Sequence, residues 1–555
     1  MSELFDRHRE TLQHAVEAAR SRGYWTPYPE MPSGRIYGET AKADGEAAFQ
    51  ALLNAPFEID QPSTGGRVGK EESPYGFALG TTYPATDPVA LVAAAKAAGK
   101  TWGAASVETR VGICLEVLDR INKQSFLMAN AVMHTSGQAF MMAFQAGGPH
   151  AQDRGLEAVA YAYDEMSRIP GVVRWEKPQG KQPPAVLDKT FKVVPRGVAL
   201  VIGCATFPNW NSYSAYFADL ATGNAVVVKP HPMAILPLAL TVRITREVLV
   251  EQGFDPNVAV LAADQIDAPV TQSYVSHPDV AIIDFTGSRG FGEWIRSNSA
   301  GKQVFTEEAG VNSIVALSTD SFRGLCGNIA FSLSLYSGQM CTAPQNIFVP
   351  REGIETDDGH KSPDDVAKGI ATALDKLLGD PDRALGILGA VQNPDTIDRI
   401  DHARALGKVV HESAPVTGGA IPEGTRTATP LLVQIDAADE AAYLEERFGP
   451  IAFVVVADDA EDAIHRAAAS AKTKGAITAS IYSTDESQVE MAADAFADAG
   501  APLSVNLTGQ ILVNQSAAFS DYHVTGANPA GTACLTDAAF VANRFRVATV
   551  RRQGT

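Results

Sequence analysis

The sequence has few cysteines and no long uninterrupted hydrophobic run. Its five cysteines lie far apart and form neither a Cys-x-x-Cys pair nor a zinc-type spacing: Cys114, Cys204, Cys326, Cys341 and Cys534. No apolar stretch approaches the ~20 residues that span a bilayer, and the charged amino terminus lacks the apolar core of a signal peptide. We therefore expect reduced thiols, no metal and a cytoplasmic location.

Basic residues are also in deficit. The chain has 45 Lys and Arg against 64 Asp and Glu, a formal net charge of −19. This balance argues against nucleic acid or an anionic membrane as the main partner. The 555 residues, of which 45% are hydrophobic, are enough for two or three domains with substantial cores.

Short apolar runs alternate with helical patterns through the middle of the chain. Four runs predict buried strands, at 197–203, 224–230, 258–261 and 280–285, and 235–251 predicts a helix. A second such rhythm follows residue 341, with a helix near 364–378 and strands at 451–456 and 476–482. Strands that alternate with helices imply parallel sheets covered on both faces.

Cys341 is a candidate nucleophile. It lies in Ser-Gly-Gln-Met-Cys-Thr-Ala-Pro (337–344), between an apolar segment and a predicted strand at 346–349. A thiol becomes reactive once it is deprotonated, although a single cysteine is more often a buried structural residue. A carboxylate that could handle protons, Glu307, lies 34 residues upstream in Thr-Glu-Glu-Ala-Gly-Val-Asn (306–312). The pair of motifs favours the catalytic interpretation.

These two motifs resemble those of the aldehyde dehydrogenase superfamily. Its members carry a Gly-Gln-x-Cys nucleophile loop and, at about this distance upstream, a Glu-Leu-Gly-Gly-Lys-Asn/Ser-Pro stretch that holds the general base. The resemblance implies that Cys341 is the nucleophile, that Glu307 is the base and that NADP or NAD is the cofactor. It also implies an α/β fold of two doubly wound parallel-sheet domains, for cofactor and catalysis, plus an oligomerisation hairpin.

The resemblance divides the chain into four units. Residues 1–84 form an N-terminal helical extension that the family does not explain, and 85–306 form the dinucleotide-binding domain, with the hairpin at about 173–196. Residues 307–508 form the catalytic domain and 509–555 a C-terminal return segment. Through the hairpin we expect a homodimer or homotetramer, although a flexible surface loop is an equal alternative for 173–196.

Three further stretches match the family's cofactor contacts. Phe-Thr-Gly-Ser-Arg-Gly-Phe-Gly (285–292) follows a strand and precedes a helix, whose N-terminus favours a phosphate. Lys229 ends a strand where open α/β sheets bind ligands, and Glu-Arg-Phe-Gly-Pro (446–450) matches a nicotinamide-side loop. By resemblance the cofactor residues are Lys229, Gly287, Ser288, Gly292, Glu446 and Phe448. A plain turn, a strand-capping lysine and a helix end are the respective structural alternatives.

Cofactor choice depends on the position three residues after Lys229. Members of the family that prefer NAD usually have a glutamate there, which holds the ribose hydroxyls, but this chain has Pro232. Loss of that carboxylate removes repulsion toward a 2′-phosphate. The sequence therefore slightly favours NADP over NAD.

The chain departs from the family at the oxyanion donor. The usual asparagine position is occupied by Thr206, within Ala-Thr-Phe-Pro-Asn-Trp-Asn (205–211). The Thr206 hydroxyl, or Asn209 or Asn211 in a shifted loop, is predicted to donate instead.

The C-terminal return also departs from the family. Ala-Ala-Phe-Ser-Asp-Tyr-His-Val-Thr-Gly (517–526) replaces the usual motif at the substrate mouth. Such changes are similar to those in phenylacetate-degradation (PaaN-type) aldehyde dehydrogenases. That similarity implies a CoA-linked semialdehyde from ring opening, with a separate enoyl-CoA hydratase-type partner. A CoA-acylating dehydrogenase and a catalytically weak binding or structural protein are the alternatives. We expect three isolated histidines to be structural rather than catalytic, namely His134, His411 and His523. Of these, His523 lies beside the presumed substrate mouth and is the strongest candidate for another role.

Overall fold

The computed structural model describes residues 3–308, 310–509 and 511–554 of the chain. Within those ranges, no helix combines the length and the apolar character needed to cross a membrane. Met1 and Ser2, at the start of the predicted N-terminal extension, lie outside the described residues. So does Thr555, at the end of the predicted C-terminal return segment.

Helices dominate the first 170 residues. They are α1 (Glu3–Arg7), α2 (Arg9–Ser21), α3 (Gly34–Tyr37), α4 (Ala41–Gln50), α5 (Pro88–Ala104), α6 (Val107–Lys123), α7 (Ser125–Ser136), α8 (Phe140–Gly147) and α9 (Pro149–Ser167). Four two-residue strands lie between α4 and α5, namely β1 (Arg67–Val68), β2 (Glu72–Ser73), β3 (Phe77–Ala78) and β4 (Tyr83–Pro84).

The N-terminal extension packs on the main core. Leu4, Phe5 and Leu12 belong to the same buried cluster as the inner faces of α6 and α9. At Gly112 in α6 a Cβ would lie 2.5 Å from the Phe5 amide nitrogen, so only glycine lets α1 approach so closely. The extension is therefore part of the globular core rather than an appended arm.

A three-stranded antiparallel sheet stands apart from the two main sheets. Its strands are β5 (Val172–Gln179), β6 (Gln182–Pro195) and, near the C-terminus, β21 (Phe545–Gln553), in the order β21-β6-β5. The stretch expected to be either a hairpin or a loop is a hairpin. Its sheet leaves apolar side chains exposed on its surface: Val172, Trp175, Val547 and Val550.

The cofactor-type domain contains a five-stranded parallel sheet in the order β11-β10-β7-β8-β9. Its elements are β7 (Val198–Ile202), α10 (Pro208–Thr222), β8 (Ala225–Lys229), α11 (Leu236–Glu251), β9 (Ala259–Leu261), α12 (Thr271–Val275), β10 (Val280–Gly287), α13 (Arg289–Asn298) and β11 (Gln303–Glu308). The chain order reverses between β7 and β10, and such a reversal marks the ligand crevice of open α/β sheets.

The second domain contains a seven-stranded sheet in the order β16-β17-β18-β14-β12-β19-β20, parallel except for β16. Its elements through the middle of the chain are β12 (Asn312–Ala316), β13 (Ser318–Thr319), α14 (Phe322–Ser334), β14 (Pro344–Pro350), β15 (Glu355–Thr356), α15 (Pro363–Leu378), α16 (Pro381–Leu388) and α17 (Asp395–Arg404). The rest are β16 (Lys408–His411), β17 (Leu431–Asp436), α18 (Glu440–Tyr443), β18 (Ile451–Ala457), α19 (Ala460–Lys474), β19 (Ala479–Tyr482), α20 (Glu486–Asp498) and β20 (Leu503–Val505), before α21 (Ala538–Ala542).

The predicted fold class is confirmed, because two parallel-sheet domains and a separate hairpin are present. The five-stranded sheet ends with β11 at Glu308 and the seven-stranded sheet begins with β12 at Asn312. Glu307 therefore lies on the last strand of the cofactor-type sheet, and the division expected before it falls inside β11. The four domain limits remain predictions.

A buried arginine fastens the C-terminal segment to the cofactor-type domain. Arg544, between α21 and β21, lies 2.8 Å from an oxygen of Asp219 and donates to both oxygens of Asp284 at 2.6 and 2.8 Å. Burial alone would lower the pKa of Arg544, but the two carboxylates outweigh it and raise that pKa. Each of these three buried charges is stable only because its oppositely charged partners are present.

We expect Arg544→Met to lower the free energy of unfolding by about 3–5 kcal/mol, because it leaves two buried carboxylates without their counter-charge. Urea unfolding followed by circular dichroism measures the loss. Arg546→Met, an exposed change on β21, is the control and should cost less than about 0.5 kcal/mol. Equal stability of the two variants would contradict the assignment.

Candidate active site

The loop that carries Cys341 begins with three left-handed residues. A short 3-10 turn (Leu335–Gly338) follows α14, and Tyr336, Ser337 and Gly338 have φ angles of 53°, 51° and 62°. For non-glycine residues this conformation costs about 1–3 kcal/mol each and is held by surrounding contacts. Here the Tyr336 hydroxyl donates to the Ser136 carbonyl, and the Ser337 hydroxyl lies 3.1 Å from the carbonyl of Leu388.

Two amide side chains fix the rest of that loop. Gln339 donates to the carbonyl of Ala390 at 3.1 Å and accepts from the Gln392 amide at 2.8 Å. Asn312 donates to the Cys341 carbonyl at 2.8 Å. Both residues stand in the two motifs that predicted the site, yet no role was predicted for them. The sequence signal for such a role was an amide side chain inside a loop motif. A buried amide at such a place typically forms hydrogen bonds with backbone groups of the loop.

Cys341 and Glu307 meet at the seam between the two sheets. Glu307 comes from the carboxyl end of β11, whereas Cys341 precedes β14 of the other sheet. The Cys341 sulfur, a Glu307 carboxylate oxygen and a ring nitrogen of His523 all lie within 4.8 Å of one another. Asn211, on α10, donates to Glu307 Oε2 at 2.8 Å, and His523 Nε2 lies 3.0 Å from Glu307 Oε1. The carboxylate is buried, while Cys341 is partly exposed.

The pKa values of Cys341 and Glu307 are shifted in opposite directions. Burial raises the pKa of the Cys341 thiol well above its usual range, and the charge and hydrogen bond of Glu307 raise it further. Burial also acts to raise the pKa of Glu307, but His523, Cys341 and Asn211 together outweigh it and lower that pKa. At neutral pH the resting pair is therefore a protonated thiol beside a carboxylate that is ready to accept its proton.

The same three groups, Cys341, Glu307 and His523, could also hold a metal ion, although no metal was predicted. Sulfur, carboxylate and imidazole are ordinary zinc ligands. A ligated sulfur and a ligated carboxylate would be unavailable as nucleophile and base, so the two uses exclude each other.

The three candidates for the oxyanion donor are placed differently. Thr206 lies in the loop before α10 and is partly exposed, and its carbonyl accepts from Gln138 at 2.8 Å. Asn209 differs from expectation, because it is fully buried and its amide donates to the Gly147 carbonyl at 2.9 Å. Asn211 contacts Glu307 itself. The structure therefore brings Asn211, rather than Asn209, to the reacting pair.

The predicted phosphate loop lies at the start of α13. Gly287 ends β10 and Ser288 is the exposed N-cap residue, whose side chain makes no capping bond to the described residues. A Cβ at Gly292 would lie 2.2 Å from Glu308 Oε1, and one at Gly287 would lie 2.7 Å from the Phe285 ring. Uncapped backbone N–H groups at a helix N-terminus, beside side-chain-free glycines, fit the pyrophosphate of a dinucleotide.

Lys229 ends β8 in a buried ion pair. Its Nζ lies 2.6 Å from Asp264 Oδ1, and both side chains are 2% exposed. Burial lowers the pKa of Lys229 although Asp264 opposes the shift. Burial, together with the charge of Lys229, lowers the pKa of the neighbouring His231 to about 4, so His231 is neutral near pH 7. The acid that the sequence lacks at Pro232 is thus matched by one from the loop after β9, Asp264, which is paired with Lys229.

Glu446 and Phe448 lie on the loop before β18, beside the nucleophile loop. A Cβ at Gly338 would lie 2.4 Å from the Gly449 carbonyl oxygen, so the two loops pack backbone against backbone. Burial raises the pKa of Glu446 to about 7, while Arg399 and Arg289 act to lower it. Because Arg289 begins α13, this loop faces the predicted phosphate helix.

A cavity of about 780 Å³ reaches His523, the residue that contacts Glu307. The C-terminal segment and β20 form much of its wall, and no lysine or arginine is among its described lining residues. Representative lining residues are Ile477, Thr478, Leu512, Val513, Asp521 and His523. The described wall therefore offers no basic side chain to an anionic group.

A parallel sheet with a glycine-lined helix N-terminus, next to a thiol that lies close to a carboxylate, has the features predicted for a nucleotide-dependent enzyme. Residues 80–531 match the model of the aldehyde dehydrogenase family. A crystal structure of NAD-dependent aldehyde dehydrogenase from Burkholderia multivorans is 54% identical, covers 100% of this chain and 99% of its own, and has a TM-score of 0.98. The chain belongs to the aldehyde dehydrogenase family, and the predicted enzyme class, an oxidoreductase acting on aldehydes, is confirmed.

More distant relatives agree with that assignment. Benzaldehyde dehydrogenase [NAD(+)] from Pseudomonas putida is 26% identical over 73% of this chain and 78% of its own. The 1-pyrroline-5-carboxylate dehydrogenase from Thermus, solved with bound NAD, is 17% identical and has a TM-score of 0.75 over 96% of this chain and 99% of its own. The latter shows a shared fold alone. The expected cofactors, NADP or NAD, are both compatible with these relatives.

We expect Glu307→Gln to speed the reaction of Cys341 with iodoacetamide and to move the midpoint of its pH profile to lower pH. The substitution removes the negative charge that raises the Cys341 pKa, so more thiolate is present at a given pH. Mass spectrometry of the Cys341 peptide measures the rate, and Cys341→Ala identifies the signal. Glu490→Gln, a change of an exposed acid on α20, is the control, and an unchanged midpoint in Glu307→Gln would contradict the coupling.

Proposed function

We propose that the protein oxidises an aldehyde to a carboxylic acid through a thioester on Cys341, with NAD or NADP as the oxidant and water as the final acceptor. One observation carries the proposal, namely that the Cys341 sulfur and a Glu307 carboxylate oxygen lie within 4.8 Å of each other. A nucleophile and a proton acceptor at this separation meet the geometric requirement of covalent catalysis with a general base.

The first step uses the resting pair. Glu307 accepts the thiol proton of Cys341, and the sulfur attacks the aldehyde carbon to give a tetrahedral thiohemiacetal. The new oxyanion needs preorganised donors, each commonly worth about 3 kcal/mol. The Thr206 hydroxyl and the Asn211 amide are the proposed side-chain donors, of which Asn211 contacts the reacting pair.

The second step needs a cofactor and a base. A bound nicotinamide would supply the acceptor for the hydride that leaves the substrate carbon. Lys229, Ser288 and Glu446 are the residues that would hold that cofactor, with the glycines of the phosphate loop and Phe448 beside them. The acyl group then remains on Cys341 as a thioester, and Glu307 releases the thiol proton to solvent. Glu307 next takes a proton from water, whose oxygen bonds to the acyl carbon. The carbon–sulfur bond breaks, the acid leaves, and Glu307 returns its proton to the Cys341 sulfur.

We expect Cys341→Ala to abolish NADH or NADPH formation with every aldehyde. Glu307→Gln should leave at most one turnover per site, because hydrolysis of the thioester loses its base, a loss of about 10²–10⁴-fold in steady state. Stopped-flow absorbance at 340 nm separates the first turnover from later ones. Cys326→Ala, which changes a buried cysteine on α14, should keep activity, and full steady-state activity in Cys341→Ala would reject the mechanism.

We further propose that the aldehyde is a CoA-linked semialdehyde from the degradation of an aromatic ring, as in the phenylacetate (PaaN-type) enzymes. The altered C-terminal segment lines the cavity, and one relative is named for an aromatic aldehyde. Because no basic residue is among the described lining residues, the phosphates of CoA would have to lie outside this cavity. A ring-cleaving enoyl-CoA hydratase would then act as a separate partner.

We expect kcat/KM for an aliphatic semialdehyde carried on CoA to exceed that for the same semialdehyde on N-acetylcysteamine by at least about tenfold, the equivalent of 1.4 kcal/mol of binding. Steady-state kinetics with both thioesters measures the ratio. Equal values would reject recognition of CoA, and a better value for benzaldehyde would favour a free aromatic aldehyde. Turnover that requires added CoA would instead support the acylating alternative, against which the position of Glu307 argues.

Three companion proposals follow from the same structure. Asp264 is neutralised by Lys229 in a buried ion pair and gives no ground against a 2′-phosphate, so we propose NADP or NAD, with the slight preference for NADP that follows from Pro232, and the assays above compare the two. The exposed apolar residues of the hairpin sheet support a homodimer or homotetramer, which sedimentation velocity measures.

The five unpaired thiols support a cytoplasmic location.

A further inference from the structure

We propose that His523 is a positioning residue that holds the base Glu307 toward Cys341. The inference rests on the proposed function and adds a member to its site. His523 lies in the C-terminal segment where the sequence departs from its family, and it was expected to be structural. Its Nε2 lies 3.0 Å from Glu307 Oε1, and both side chains are 1% exposed. Such a contact between buried polar groups is strong and specific.

The charge of Glu307 determines the direction of its hydrogen bond with His523. An ionised carboxylate can only accept, so His523 Nε2 carries a proton and donates it to Glu307 Oε1. On the other side of the ring, His523 Nδ1 lies 3.2 Å from the Ser516 hydroxyl, which can donate or accept. Arg154 Nη2 in turn donates to the Ser516 oxygen at 2.8 Å. These outer contacts hold the ring in the orientation that the carboxylate needs.

Ring packing fixes the orientation of the imidazole. Trp210 meets the His523 ring edge to face, with the ring centroids 4.6 Å apart. The Arg154 guanidinium lies over the Trp210 ring, 5.0 Å from its centroid. The ring is thus held by Trp210, Ser516 and Glu307 at once. An imidazole fixed in this way has little freedom to turn away from the carboxylate.

The two oxygens of Glu307 have different donors. Asn211 donates to Oε2 and His523 to Oε1, so the carboxylate plane is set from both sides while the thiol of Cys341 approaches it. The titratable groups that face Glu307 are Cys341 and His523, with Cys204 on the β7–α10 loop nearby. Of these, His523 is the one that donates to the carboxylate from the C-terminal segment.

Removal of His523 therefore has a predictable electrostatic result. Burial acts to raise the pKa of Glu307 and His523 opposes it, so the pKa of Glu307 rises when His523 is lost. The base works only when it is ionised. Loss of the base on the acidic side must then begin at higher pH than in the wild-type enzyme.

We expect His523→Ala to lower kcat for aldehyde oxidation by about 10–100-fold, part of the 10²–10⁴-fold that a general base contributes, with KM changed little. The acid limb of the kcat profile should move to higher pH. His523→Gln should recover part of kcat, because its amide still donates to Oε1. In the Glu307→Gln background His523→Ala should cause no further loss, since the base that it positions is gone.

A second measurement does not depend on turnover. The pH profile of Cys341 alkylation by iodoacetamide should gain an inflection on the acidic side in His523→Ala, where Glu307 now titrates, and this inflection should vanish in the double variant with Glu307→Gln. His411→Gln, which changes a histidine on β16 far along the other sheet, is the control and should behave like wild type.

The outcomes are distinguishable. Wild-type turnover that needs Cys341, together with a His523→Ala variant whose acid limb and alkylation profile match wild type, would overturn the role of His523 and leave the proposed function intact. Absence of wild-type turnover with every aldehyde would reject the proposed function, and the alkylation profile would still decide whether His523 positions Glu307. Thermal unfolding of each variant confirms that it is folded.

Discussion

The site depends on keeping a carboxylate ionised where water is scarce. A buried acid normally becomes neutral, and a neutral Glu307 could not accept a proton from a thiol. The protein solves this with two fixed donors, the amide of Asn211 and the ring of His523. Both come from elements whose other contacts are set by the fold, one from α10 and one from the C-terminal segment. The chemistry is thus only as reliable as the packing of those two elements.

The reacting groups come from different sheets, so their meeting is a property of the assembled chain. β11 ends the five-stranded sheet with Glu307, and the loop before β14 supplies Cys341 from the seven-stranded one. The C-terminal segment contacts both sides of this seam, since the Thr306 amide on β11 donates to the Thr532 hydroxyl oxygen, whereas the Thr342 hydroxyl of the nucleophile loop donates to the Asn514 carbonyl. A contact that holds the C-terminal segment in place therefore also holds His523 in the site.

The sequence predicted the architecture well because its signals are local. Buried strands such as β7 and β8 read as apolar runs, and the spacing from Glu307 to Cys341 carried the family resemblance. The role of His523 could not be found this way, because it depends on a partner 216 residues away in the chain. Asp264 was missed for the same reason, since the acid was sought three residues after Lys229 and lies in the loop after β9. Local patterns predict elements, whereas side-chain partners across the seam have to be observed.

The backbone contact between Gly338 and Gly449 has a mechanical consequence. With no side chain between them, the loop between α14 and β14 that carries Cys341 and the loop that carries Glu446 and Phe448 pack directly against each other. A shift of one loop would press on the backbone of the other, so we expect the two to move together. Room for a longer or bulkier molecule is then to be expected in the segment after β20, which lines the cavity.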